Sequence, residues 1–308
     1  MKRKSLRATE QRNPRTRGLD NKSTLAILHA IAREDAVIAG AVARALPSIA
    51  RAVDVAARAL ASGGRLLYVG AGTSGRLAAL DAAEILPTFG TPARMVEAVI
   101  AGGRPALTRA VEGAEDDRRQ GARDVAARRV NRADAVVGIT ASGATPYVLG
   151  ALALARSRGA ATIGITCNRG TPLARLAQIT IVTETGPEAI AGSTRLKAGT
   201  AQKMVLNMIS TATMVRLGRI YDNWMIGVAL TNDKLRARGV RILTEASGST
   251  PAAAKRALRE SRNRLPVALL MLAATLGGRD AERVLRAAGG NLRTALGKAT
   301  KGLRKPNG

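Results

Sequence analysis

The chain has 308 residues but only one cysteine, Cys167, and one histidine, His29. One cysteine cannot close an intrachain disulfide, and one histidine leaves no His/Cys cluster for a zinc site, so disulfide and structural-metal staples are excluded. A Ser-His-Asp triad would have to use His29, which sits in an amphipathic stretch where a partly buried structural role is the simpler reading. Acid–base chemistry therefore falls to carboxylates or lysine. Aromatic residues make up 2% of the chain, too few to stack single-stranded bases. No run approaches the roughly 18 apolar residues of a membrane helix, and the basic start, Met1 to Arg17, has no apolar segment after it. The expected location is the cytoplasm, with no membrane partner. Acidic residues are also scarce, 22 against 49 Lys and Arg, a formal charge of +27. Composition alone would favour nucleic acid, phospholipid or phosphate as partner. Much of the charge is arginine spread through helical segments, such as Arg118, Arg119, Arg123, Arg128 and Arg129, without aromatic partners. Nucleic acid is therefore not expected, and the charge reads as a solubility feature that also suits an anionic substrate.

What is present is an evenly spread apolar fraction of 46%, which excludes global disorder. Residues 1–24 are polar and Arg-rich and read as an extended basic arm, with Thr24 as an N-cap. Residues 25–64 read as helices, Leu25 to Arg33 and Ala36 to Ala61, interrupted at Pro47 and closed by Ser62-Gly63-Gly64. From Arg65 the pattern alternates. Strands are expected at Arg65 to Val69, Met95 to Ile100, Ala135 to Thr140, Ala161 to Thr166 and Ile179 to Val182. Helices are expected from about Gly75 to a stop at Pro87, at Ala106 to Arg129, Pro146 to Ser157, Pro172 to Ala177 and Leu196 to Leu217. This predicts an α/β fold, a doubly wound five-stranded parallel sheet over 65–232. Residues 233–308 read as a small all-helical module with a frayed basic tail.

The first strand runs into Gly70-Ala71-Gly72-Thr73-Ser74-Gly75, formally a G-x-G-x-x-G at a strand-to-helix junction, where backbone amides and the helix dipole favour phosphate. A dinucleotide site would need an acid at the end of the next strand, and Glu97 falls in its middle. Two further hydroxyl-rich loops occur, Thr140-Ala141-Ser142-Gly143-Ala144-Thr145 and Gly192-Ser193-Thr194, the latter before the helix that carries Lys197. Ser and Thr here could be mere helix caps. Three such loops at the carboxyl edge of one sheet instead favour a small phosphorylated ligand. Two carboxylate regions stand out. Glu84 lies among apolar residues before Pro87, as either a proton carrier or a solvated helix end, and the cluster Glu112 to Asp117 reads on composition as a solvated face.

Several segments carry a family resemblance: Thr9 to Asn13 (TEQRN), Leu67 to Arg76 (LYVGAGTSGR), Asp81 to Pro92 around PTFGTP, Ile100 to Gly103, Ala110 to Asp117 (AVEGAEDD), Ala141 to Tyr147 and Gly192 to Asn207 (GSTRLKAGTAQKMVLN). Through them the chain resembles the N-acetylmuramic acid 6-phosphate etherases of the sugar isomerase (SIS) superfamily over nearly its whole length. The resemblance implies a lyase of cell-wall recycling and amino sugar catabolism, working without metal or redox cofactor. It would release D-lactate and N-acetylglucosamine 6-phosphate from N-acetylmuramic acid 6-phosphate. Matched by position, Glu84 is the proton donor and Glu115 the second glutamate and probable base. Gly72, Thr73, Ser74, Ser142, Gly143, Thr145, Ser193 and Thr194 match the phosphate and sugar loops, with Lys197 as a neutraliser of anionic charge. The departures are Ala83, Thr194 and Leu196, where Ser, Ser and Met are commoner, and none removes a carboxylate. Glu84 lies nine residues beyond Gly75, about 13 Å along a helix axis, which leads us to expect a homodimer in which one glutamate serves the neighbouring site. The alternative functional class is a non-catalytic SIS sensor of sugar phosphates.

Overall fold

A computed structural model describes residues 7–303. Three helices follow the N-terminal segment: α1 (Thr24–Asp35), α2 (Val37–Arg44) and α3 (Leu46–Ala61). The cap of α1 is Ser23, one residue before the expected Thr24; its Oγ accepts from Ala26 N at 3.4 Å. Pro47 opens α3, because a first-turn proline has no intrahelical N–H bond to lose. The alternating region then gives β1 (Leu66–Gly70), α4 (Gly72–Phe89), β2 (Val96–Ile100), α5 (Arg118–Ala127), β3 (Ala135–Ile139), α6 (Pro146–Ser157), β4 (Ala161–Thr166), α7 (Pro172–Leu176), β5 (Ile179–Val182) and α8 (Lys197–Arg216). The five strands pair in parallel in the order β2-β1-β3-β4-β5, Leu66 lying opposite Val96 on one side and Ala135 on the other. Every residue of β1 and β3 is buried, as a parallel sheet covered on both faces requires. Leu67, Val69 and Val136 form one cluster with Val148 and Leu152 of α6, while the intervening Leu66, Tyr68 and Val137 alternate to the other face.

Three expectations need correction. The N-terminal arm is not merely extended: over 8–21 it makes three short 3-10 turns in which Thr9, Asn13 and Thr16 are buried. Residues 1–6 of that arm, and 304–308 of the basic tail, lie outside the described residues. Helix α4 does not stop at Pro87 but runs on to Phe89, its last turn closed by Gly90 N donating to Leu86 O at 3.0 Å before Gly90 leaves at φ +60. Finally, the expected helix over Ala106 to Arg129 is a 3-10 turn at Arg104–Leu107, then a loop, then α5. Gly113 breaks it with φ +72, and Asp117 starts α5 afresh by accepting from Gln120 N at 2.8 Å.

Helices α5 and α6 are almost in backbone contact. A Cβ on Gly121 would fall 1.9 Å from Tyr147 O, and one on Gly150 1.9 Å from Arg118 O. Gly121→Ala is therefore expected to force the helices apart at a cost of about 1–3 kcal/mol, read as a lower midpoint in urea unfolding.

The chain divides into two compact units: residues through Ala83 with Arg94–Thr211, and Glu84–Ala93 with the chain from Ala212 onward. The main part of the second unit thus starts at Ala212, and the unit includes all of PTFGTP, Pro87 to Pro92. Two glycines account for that inclusion. A Cβ on Gly90 would lie 2.4 Å from Gly227 O, and one on Gly227 2.2 Å from Phe89 O, so the two backbones touch. This unit holds a hairpin missed by periodicity, β6 (Ile220–Tyr221) and β7 (Trp224–Met225), and helices α9 (Asp233–Ser247), α10 (Pro251–Glu260), α11 (Leu265–Ala274), α12 (Gly278–Ala287) and α13 (Leu292–Leu303). Helix α11 is apolar nearly all round and packs against the other four helices, as a central core helix should. Among the described residues, no single helix is long and apolar enough to cross a membrane.

Candidate active site

With this strand order the connections from β1 and β3 leave on opposite faces, opening a crevice outside their carboxyl ends. The loop after β1 is the glycine turn. A Cβ on Gly70 would sit 2.7 Å from Gly75 N and one on Gly75 2.5 Å from Ile100 Cγ1, so the turn closes only with glycine at both places. Gly72 opens α4 at φ +51 with nothing within 4 Å of its Cβ position, which leaves the backbone there open to a ligand. The acid that a dinucleotide site would need is spent elsewhere: Glu97 pairs with Arg128 Nη1 at 2.5 Å and Arg65 Nη1 at 3.4 Å.

The loop after β3 is organised around Thr140, whose Oγ1 bonds the hydroxyls of Thr145 at 2.7 Å and Ser142 at 3.2 Å. Ser142 Oγ also accepts from Ala144 N at 3.2 Å. Gly143, at φ +67, lies where a Cβ would overlap Thr171 at 2.5 Å. Thr145 precedes α6 without capping it through its side chain, so this hydroxyl is not a helix cap. The third loop enters α8. Ser193 and Thr194 are half-buried, and among the described residues their hydroxyls make no hydrogen bond. The loops converge. A Cβ on Gly199 would lie 3.2 Å from Thr73 Cγ2, Ser74 Oγ donates to Gln202 Oε1 at 2.8 Å, and Ala141 and Ala198 share a small buried cluster with Cys167.

Lys197 departs from expectation. It is fully buried, and its Nζ is 2.6 Å from Glu34 Oε2, so its charge is neutralised inside the protein and not offered to an anion. Burial pushes Glu34 up, but hydrogen bonds from Arg15, Lys197 and Asn13 and the charge of Lys197 outweigh it and hold the carboxyl at about 2. The first amides of α8 are also taken: Glu188 accepts from Lys197 N and Ala198 N at 2.9 Å each. Burial raises the Glu188 carboxyl, opposed by those two amides and Lys197.

The two glutamates are set differently. Glu115 stands on the loop before α5, and its carbonyl accepts from Tyr147 N in the first turn of α6 at 3.0 Å, which ties it to the same sheet edge. Tyr147 is anchored in turn by its hydroxyl, which donates to Asp124 Oδ2 at 2.6 Å. The Glu115 side chain is exposed and, among the described residues, unpaired. Glu84 lies on α4 at the start of the segment that goes with the second unit, and it too is exposed. The buried acid of that helix is Asp81, one turn earlier; burial raises its carboxyl, opposed by Ser210, Tyr68 and Lys203. Sequence reasoning passed over Asn168, Glu188 and Gln202 as site residues. The Nε2 of Gln202 is buried beside α4 without a partner among the described residues. Only its place in the first turns of α8 could have drawn attention to it.

Crevice, glycine turn and converging hydroxyl loops are the parts of a SIS domain. Residues 48–156 match the family model of the glucokinase regulatory protein N-terminal SIS domain, and 119–212 that of the SIS domain. The fold is shared with a phosphoheptose isomerase from Francisella tularensis, with a TM-score of 0.51 and 22% identity over 62% of this chain and 98% of that one. Within that class, the chain belongs to the N-acetylmuramic acid 6-phosphate etherase family. It is 50% identical over 289 residues to the etherase of Geobacillus thermodenitrificans, covering 94% of this chain and 98% of the relative. It is 51% identical over 288 residues to that of Pectobacterium atrosepticum, covering 94% and 95%.

Proposed function

We propose that the protein is an N-acetylmuramic acid 6-phosphate etherase, a carbon–oxygen lyase of cell-wall recycling and amino sugar catabolism, acting in the cytoplasm. The observation that carries the reading is the joining of Glu115 to the first turn of α6 beside three hydroxyl loops, in a chain half-identical to etherases over nearly its full length. Gly72, Thr73, Ser193 and Thr194 are the groups that suit the phosphate and sugar. In the open-chain aldehyde the C2 proton is α to the carbonyl. Glu115 removes it, the C3–O bond breaks, and Glu84 protonates the departing lactate oxygen, leaving an α,β-unsaturated aldehyde. Water then adds its hydroxyl to C3 and a proton returns to C2, so the sum is substrate plus water giving N-acetylglucosamine 6-phosphate and D-lactate.

The active form is a homodimer in this reading. Leu80 (53% exposed) and Leu86 (49% exposed) flank the exposed Glu84 on α4, an apolar stretch that a second copy would cover. A fully active monomer in light scattering under assay conditions would refute the dimer. The etherase reading is tested by incubation with N-acetylmuramic acid 6-phosphate and an enzymatic assay for D-lactate. The match to the glucokinase regulatory protein model supports a second reading, a sugar-phosphate sensor, for which the substrate would bind and no lactate would appear.

A further inference from the structure

We infer that the N-terminal segment is a strap that positions two of the three hydroxyl loops, with Thr9, Asn13, Arg15 and Thr16 as positioning residues for the sugar phosphate; this rests on the etherase reading of those loops. The strap grips the loop after β3 through Asn168. Ala8 N donates to Asn168 Oδ1 at 3.0 Å, while Asn168 Nδ2 donates to Thr9 Oγ1 at 3.3 Å and to Ala141 O at 2.9 Å, one residue before Ser142. It grips the loop before α8 at two points and the head of α8 indirectly, through Glu34 of α1. Asn13 Nδ2 donates to Pro187 O at 3.2 Å, Thr16 Oγ1 donates to Ala189 O at 2.8 Å, and Arg15 holds Glu34 through Nε at 2.5 Å and Nη2 at 3.0 Å. Glu34 in turn holds Lys197 at 2.6 Å. Ser193 and Thr194 thus hang between two fixed ends, Pro187–Ala189 and Lys197.

The arrangement has the character of a clamp and not of general packing. Three of the strap's polar residues, Thr9, Asn13 and Thr16, are buried, and each directs a side chain to a backbone or amide group of a site loop or to its anchor. Loop backbone far from regular ladders has few other bonds to fix it, so each of these side-chain bonds restricts where the neighbouring hydroxyls point.

Two variants of the full-length protein test this, Thr16→Val, which keeps shape and loses the donor, and Asn13→Leu; Thr16→Ser is the rescue. Hydrogen–deuterium exchange is expected to quicken in residues 187–196, the loop that these two side chains hold, while the strands stay protected. For lactate release, KM should rise roughly tenfold with kcat within about threefold, as one lost positioning hydrogen bond allows, and Thr16→Ser should restore both. Unchanged exchange in that loop, loss of protection spread evenly over the sheet, or a quickened loop with an unchanged KM would each overturn the strap. If one variant fails to fold, the other carries the same comparison. A wild-type chain that releases no lactate refutes the etherase reading, and the exchange comparison still decides whether the strap fixes that loop.

Discussion

Glu115→Gln is expected to lower lactate release by about 10²–10⁴-fold, the range removed when a positioned proton-transfer group is lost. The substitution isolates chemistry from structure. The loop is held by the Glu115 backbone carbonyl, which accepts from Tyr147 N, and this bond does not involve the side chain. The side chain is exposed and has no ion pair among the described residues, so the amide leaves no buried charge stranded. Unfolding midpoints should therefore match the wild type, and KM should move little while kcat collapses. Glu84→Gln should give a comparable loss, because the proton for the departing lactate is then missing. Near-wild-type turnover in either variant would sink the assignment of acid and base. Measuring the exchange of the C2 proton with solvent deuterium separates the two roles. Loss of the base stops exchange, whereas loss of the donor to lactate leaves exchange running without release.

The five parallel strands were legible because each is a short, mostly apolar run between turns and amphipathic helices, as a sheet with helices on both faces demands. The loops after β1 and β3 were legible for the same reason, since the strand ends locate them. The placement of Glu115 was not. A helix drawn through Ala106 to Arg129 would put it on a solvated helical face, and only Gly113 at positive φ and the Asp117 cap turn that stretch into the loop that reaches α6. Nor could periodicity find the strap. Thr9, Asn13 and Thr16 sit among arginines, and their burial depends on carbonyls at Pro187 and Ala189 and on an amide at Asn168, more than 150 residues away in sequence. Lys197 misled in the opposite sense. A lysine beside a Ser-Thr loop reads as an anion ligand, and nothing local announces that Glu34, on a helix 163 residues earlier, has already claimed it.

Glu34→Gln should be the most damaging single change to stability, costing about 3–5 kcal/mol, the range for removing one member of a buried ion pair. Glu34 is 1% exposed and Lys197 0%, so without the carboxylate the ammonium is left charged in the interior or must shed its proton. Lys197→Met should cost less, because Glu34 keeps its two bonds from Arg15, whose side chain is 64% exposed and bridges the carboxylate towards water. That order of severity is opposite to what a free, ligand-facing Lys197 predicts, where neither change would trouble the fold. The carboxyl also sets an acid limit. Its folded value of about 2 lies below the ordinary 4.5, so the stabilisation it provides is complete above about 4.5 and is lost as the pH falls through that value towards about 2. Urea unfolding at a series of acid pH values should therefore show the wild type losing stability across this window faster than Glu34→Gln, the two curves converging at the acid end. Parallel curves would mean that the triad of Arg15, Glu34 and Lys197 is not what holds the N-terminal segment to the head of α8.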